Sequence, residues 1–273
     1  MSEVFEVKFE HTGRGMFSIV NDVVDHLYVA EQNKHKLNLL WVGSPYKQVN
    51  NDDNAFEYYF ENFFDIKDTD IPVGKKESFA FRVGNCITPR KNGLAQPTHR
   101  VEMNRIIDRY IKLKPHIRHK IDQFAEQNFN DYTIGLHIRG KGRTDGNASR
   151  LREKFQLVDG VPYDAYFTKV NQLLETTSYA KIFLCSDSQI VIDYCKRIYG
   201  DRIVTYSATR SNNGEMHRDR KYNDIKYKLG EDVLIEAYLL SLTDYLVHGS
   251  SNVTNYVLCK NSMLKNFYIY GDG

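Results

Sequence analysis

The second half of this chain alternates short apolar runs with helix-spaced segments. That alternation restricts it to a parallel sheet covered by helices on both faces. Tyr132–Ile138, Ala180–Cys185, Arg202–Tyr206, Tyr245–Val247 and Asn266–Tyr270 read as strands. Between them, Tyr163–Thr176, Gln189–Tyr199, Gly230–Ser241 and Ser251–Lys260 read as helices. Gly230–Ser241 is apolar almost all round, which predicts a buried helix. The first half opens in the same way. Val4–Phe9 alternates as a strand, Gly13-Arg14-Gly15 forms a turn, and Met16–Glu31 has Phe17, Val20, Val23, Val24 and Leu27 at helical spacing. Leu37–Val42 is a second strand, and Asn54–Phe64 reads as an aromatic helix. Residues 65–100 are loop-rich, and His99–Phe129 is one polar helix or two, broken near Pro115. A boundary near 125–131 divides the chain into two α/β halves, 1–128 and 129–273, facing each other across a cleft.

Composition narrows the function classes. Lysine and arginine number 37 against 35 acidic residues, so the net charge is +2. A nucleic-acid partner is not expected on that balance. A pocket for one diphosphate needs only two or three cations. No CxxC pair occurs among Cys86, Cys185, Cys195 and Cys259, so a thiolate metal cage is not expected. No stretch of about 18 apolar residues is present, and the first residues lack the basic and apolar regions of a signal peptide. The expectation is a soluble, cytoplasmic protein with no membrane span.

Three strand-to-helix turns in the second half carry the chemistry. The first is Gly135-Leu136-His137-Ile138-Arg139-Gly140, continuing through Lys141-Gly142-Arg143. Ligands of open α/β sheets bind off the carboxyl ends of the strands, where this loop begins. His137 and Arg139 are two apart and project to one face. A guanidinium there can hold a phosphate through two hydrogen bonds, and the glycines let backbone N–H groups approach an anion. The bland alternative is a solvated surface turn. The second turn is Ser186-Asp187-Ser188, and capping of the following helix explains it equally well. The third is His248-Gly249-Ser250-Ser251-Asn252, where N–H groups and hydroxyls can seat an anion or simply cap a helix. Each turn alone is weak. All three in one half describe a nucleotide cleft better than three independent caps.

These residues resemble the fucosyltransferase superfamily, which includes the core α1,6-, nodulation-type and protein O-fucosyltransferases. His137-Ile138-Arg139 is similar to its H-x-R motif, and Ser186-Asp187-Ser188 to its strand-end acidic motif. Asp232–Leu240 followed by Gly249-Ser250-Ser251-Asn252 is similar to its C-terminal helix and serine turn. Gly13-Arg14-Gly15 with Asn21 looks like its opening glycine loop. The resemblance implies a GT-B fold, two Rossmann-like domains with the donor in the C-terminal one. It implies inversion at the anomeric carbon, no cofactor and no metal. The implied partners are a GDP- or UDP-linked nucleotide sugar and a glycan acceptor.

Carried over residue by residue, Arg139 neutralises charge on the leaving diphosphate, and His137 positions it. Asp187 reads the nucleoside. Ser186, Ser188, Ser250, Ser251 and Asn252 complete the donor seat, with Gly13, Arg14 and Gly15 closing from the other half. Many relatives carry a second Arg directly after the first. Gly140 stands there in this chain, and Arg143 is the replacement. A UDP-sugar donor such as UDP-xylose stays open, as does a non-catalytic sugar-binding role. The glycine pattern of a dinucleotide-binding enzyme is not met, because Ser18 follows where its last glycine belongs. For the base that takes the acceptor proton, Asp68 and Asp70 are preferred, with Asp65 and Glu57 behind them.

Overall fold

The computed structural model describes residues 4–10, 13–47, 54–61, 90–91, 93–140, 161–211, 216 and 219–271. Asp65, Asp68, Asp70 and Arg143 lie outside these residues. The first half begins with β1 (Val4–Glu10), α1 (Met16–Gln32) and β2 (Lys36–Val42), and β1 and β2 pair in parallel. A strand–helix–strand crossover produces that parallel pairing. α1 sinks ten side chains, Phe17, Ile19, Val20 and Leu27 among them. Complete burial of each such residue stabilises by about 1.5–3 kcal/mol before entropy is counted.

The aromatic segment departs from the expected 54–64 helix. Only α2 (Phe56–Tyr59) is helical, and Phe60 leaves in an extended conformation to bridge Leu113. Side-chain burial overrides helix propensity here, because Phe56, Tyr59 and Phe60 are all buried. A short hairpin of β3 (Arg90–Lys91) and β4 (Leu94–Ala95) follows. Of the two readings of 99–129, the structure has the two helices with a break before Pro115, α3 (Pro97–Tyr110) and α4 (Pro115–Asn128). Each starts on a proline, which suits a first helical position because its missing N–H has no intrahelical role there.

The second half is a five-stranded sheet, parallel throughout. It comprises β5 (Thr133–His137), β6 (Lys181–Cys185), β7 (Ile203–Val204), β8 (Tyr245–His248) and β9 (Lys265–Tyr268), in spatial order β7-β6-β5-β8-β9. Among the described residues, α5 (Tyr163–Thr176), α6 (Gln189–Tyr199), α7 (Lys226–Ser241) and α8 (Asn252–Lys260) accompany it. The chain winds outward from β5 through β6 to β7, then returns to β8 on the other side. The order therefore reverses between β5 and β8, where a crevice opens at the carboxyl ends of the strands. His137 and His248 face each other across that point in the register.

One hydrophobic cluster runs through both halves. It joins the β1–β2 unit to α7, α8 and part of β6, and a second cluster lies under the other face of the large sheet. α7 forms the central wall. It is buried over most of its length, yet Glu231, Asp232 and Glu236 are buried with it. Tyr59 presses on this helix where it carries Gly230. The Tyr59 hydroxyl donates to the Tyr46 carbonyl at 2.7 Å, and its ring stacks on Tyr227. A Cβ on Gly230 would stand 2.3 Å from that hydroxyl, so the close approach requires glycine. No helix among the described residues is long and apolar enough to cross a membrane.

Candidate active site

A cleft of about 1120 Å3, open to solvent, lies at the crevice between β5 and β8. His137 and Arg139 enter it from the end of β5, and Ser186 and Asp187 from the end of β6. Ser251 and Asn252 enter from the start of α8, and Gly15 from the start of α1. The three turns of the second half thus meet the opening turn of the first. Gly13, Arg14, Ser188 and Ser250 do not line the cleft. Arg14 is held by α1 itself, through an ion pair to Asp22 at 2.7 Å and a hydrogen bond to the Ser18 hydroxyl at 2.9 Å. The Ser250 hydroxyl lies against Gly93 of the β3–β4 hairpin. Glu57 is exposed on α2, outside the cleft.

The β5 loop is fastened to β6 and its loop by backbone geometry. The Ile138 N–H donates to the Cys185 carbonyl at 3.0 Å, and the Gly140 N–H donates to Asp187 Oδ1 at 2.8 Å. Asp187 therefore spends one carboxylate oxygen on holding the arginine loop. Its backbone carbonyl accepts from the Ser211 N–H at 2.9 Å, which fastens a third segment to the same point. Between these anchors the Arg139 guanidinium has no carboxylate partner among the described residues. His137 beside it is buried, and its Nδ1 has no hydrogen-bond partner among the described residues. Burial above all, and then the Arg139 charge, push its pKa down to about 3, so the imidazole is neutral.

Two helix N-termini point into the same space. The N-cap of α1 is Gly15, which offers no side-chain oxygen, and its first turn holds no acidic residue. α8 starts with a capping box. The Ser251 hydroxyl accepts from the Thr254 N–H at 3.0 Å, and the Thr254 hydroxyl accepts from the Ser251 N–H at 3.2 Å. Ser251 thus fulfils the capping role that its sequence position also allowed. The Asn21 side chain of α1 donates to the Asn252 carbonyl at 2.9 Å and holds the two helix starts together. The positive ends of both dipoles, with Arg139 between the turns, make a seat for a compact polyanion.

The far end of the cleft differs in character. Ala208, Met216, Leu229 and Val233 supply apolar walls, while Asp232 and Glu236 supply carboxylates from successive turns of α7. Asp232 accepts on both oxygens, from Lys228 at 2.7 Å and on Oδ2 also from the Thr209 N–H at 2.9 Å. Among the described residues Glu236 takes the Arg210 guanidinium alone, at 2.5 Å on Oε1. Burial pushes its pKa up to about 7 against the pull of that arginine. Sequence reasoning passed over Glu236 and Arg210. The available signal was Lys228, Asp232 and Glu236 at four-residue spacing, a charged stripe on an otherwise apolar helix.

No family model matches the sequence, and no curated protein matches it. Solved structures do match. The fucosyltransferase NodZ from Bradyrhizobium aligns at 19% identity over 94% of this chain and 92% of that one, with a TM-score of 0.54. POFUT1 in complex with GDP aligns at 12% identity over 97% and 98% of the two chains, with a TM-score of 0.51. A mutant of Arabidopsis thaliana FUT1 in complex with GDP aligns at 12% identity over 97% of this chain and 70% of that one, with a TM-score of 0.51. This chain has the GT-B fold of those fucosyltransferases. The fold places the cleft between two Rossmann-like halves, where the described turns converge.

Proposed function

We propose that the chain is an inverting, metal-independent glycosyltransferase that moves a sugar from a GDP-linked donor to a glycan hydroxyl. The observation that carries this reading is the Arg139 guanidinium, which has no carboxylate partner among the described residues and is set in the cleft with two helix N-termini. The NodZ α1,6-fucosyltransferase of the same fold has been soaked with GDP-fucose, which supports a GDP-fucose-like donor. A diphosphate bound at this seat meets Arg139, the neutral imidazole of His137 and the N–H groups at the start of α8. As the acceptor oxygen attacks the anomeric carbon from the opposite face, the bond from that carbon to the diphosphate oxygen breaks. The electron pair leaves on the diphosphate, where Arg139 and the helix ends offset the growing charge. The acceptor proton passes to a carboxylate base, for which Asp68 and Asp70 remain the candidates.

The base pocket favours guanine over uracil. Guanine presents two adjacent N–H donors, on N1 and the 2-amino group, and an ionised carboxylate accepts both. Uracil presents a single N–H flanked by two carbonyl oxygens, which such a carboxylate repels. Glu236, which accepts one hydrogen bond among the described residues against three for Asp232, has the greater spare acceptor capacity for this task. Arg139→Ala tests the reading. Transfer from a GDP-sugar should fall at least about 100-fold, the size of effect seen when one oxyanion donor is lost, while the unfolding temperature holds. Wild-type turnover in that variant would remove Arg139 from the mechanism.

A further inference from the structure

Arg210 lies on the segment 206–211, which forms one wall of the base pocket, and its side chain is only 7% exposed. It donates to Glu236 Oε1 and, at 3.1 Å, to the Tyr206 carbonyl. The same segment is anchored on both sides of Arg210. The Thr209 N–H donates to Asp232, and the Ser211 N–H donates to the Asp187 carbonyl. The guanidinium is therefore held in one place, and it meets Glu236 away from water.

We propose that Arg210 is a positioning residue that sets nucleobase choice: through its contact with Oε1 it fixes the Glu236 carboxyl at the wall of the base pocket and favours its acceptor-only form. This rests on the reading of the cleft as a GDP-sugar site. The groups around Glu236 show why a cation is required. Asp232 faces it from its own helix and Asp187 from beyond the end of β6, and both oppose its ionisation. Cys185 of β6 contacts its backbone carbonyl and is itself held as a neutral thiol by burial. Arg210 is the group that favours the charged form. Burial works to lower the Arg210 pKa, but contact with Glu236 overrides it and leaves the pKa raised. Without Arg210, the carboxyl would keep its proton through neutral pH. A protonated carboxyl both donates and accepts, so it pairs with the amide edge of uracil as readily as with that of guanine.

Arg210→Met and Arg210→Lys, with E236Q as reference, test this by titrating GDP and UDP calorimetrically from pH 6 to 8.5. In R210M the acid limb of GDP binding should move up by at least about one pH unit. A one-unit shift from about 7 takes the ionised fraction at pH 7 from about half to about a tenth, so GDP should bind roughly fivefold more weakly there. UDP affinity should change by less than about twofold, so the GDP-to-UDP ratio narrows, and R210K should restore most of it. In E236Q the acid limb should vanish, and adding R210M to E236Q should change little further. Should R210M fail to fold, R210K and E236Q decide by the same limb and ratio. Equal weakening of GDP and UDP at every pH would overturn the proposal, since a wall that merely collapses has no base preference. So would an unmoved acid limb. Absence of GDP binding by the wild-type protein would instead overturn the GDP-sugar reading beneath it.

Discussion

Gly140 sits where two loops touch, and an added methyl group there is expected to unseat Arg139 without unfolding the protein. A Cβ at Gly140 would stand 2.4 Å from the Ser188 Cβ and 3.2 Å from Asp187 Oδ1. Two carbons rest at about 3.5–4.0 Å, so the β5 and β6 loops must part by more than about 1 Å. That movement stretches the 2.8 Å bond from the Gly140 N–H to Asp187 and displaces the neighbouring Arg139. A shift of about 1 Å at a reacting centre costs roughly 100-fold in rate. Overpacking of this kind costs about 1–3 kcal/mol. At roughly 2–4 °C of unfolding temperature per kcal/mol, the fold survives. Gly140→Ala should therefore lower transfer about 100-fold and weaken GDP binding about tenfold in calorimetric titration, by the same argument. Ser188→Gly removes the atom that would clash. The double variant should regain most of the lost affinity, because the two changes act on one contact. Wild-type GDP affinity in Gly140→Ala, or no recovery in the double variant, would refute the claim that this loop contact sets the site.

The remaining predictions concern stability. Gly230→Ala drives a methyl into the Tyr59 hydroxyl and ring, which lie at 2.3 and 2.6 Å, and should destabilise by about 1–3 kcal/mol in urea unfolding. An unchanged midpoint would show that Tyr59 can leave its stack on Tyr227. His137 titrates near 6.5 when unfolded and about 3 when folded, so its contribution is complete above pH 6.5 and drains away as the pH falls toward 3. Glu236 acts in the opposite sense. With a folded pKa of about 7 against 4.5, its contribution is full below pH 4.5 and is lost as the pH rises through 7. Melting curves from pH 4 to 8 should show a smaller acid-side loss in His137→Asn and a smaller loss of stability toward pH 8 in E236Q. Profiles parallel to the wild type in both variants would contradict these assignments.

Much of the architecture was legible because burial patterns are local. The period-two and helical spacings of Val4–Glu10, Met16–Gln32 and the second-half strands record which face of each element meets the core. The break near Pro115 was legible as well, and it proves to be the first position of a helix, the one place in a helix that suits proline. It failed at Phe60, whose aromatic neighbours suited a helix until the core claimed the ring. The H-x-R turn was visible for a similar reason: a basic, glycine-flanked strand end is unusual along the chain itself.

Sequence by itself determined the alternating elements, and hence a parallel sheet with polar turns at the carboxyl ends of its strands. Only tertiary structure decided which turns share a cleft, because that depends on the reversal of strand order between β5 and β8. It also separated residues of the same type. Arg139 enters the cleft with no counter-charge among the described residues, Arg14 was tied to Asp22, and Arg210 was buried against Glu236. A guanidinium's role follows from what stands within a few ångströms of it, and those neighbours come from segments far apart in the chain.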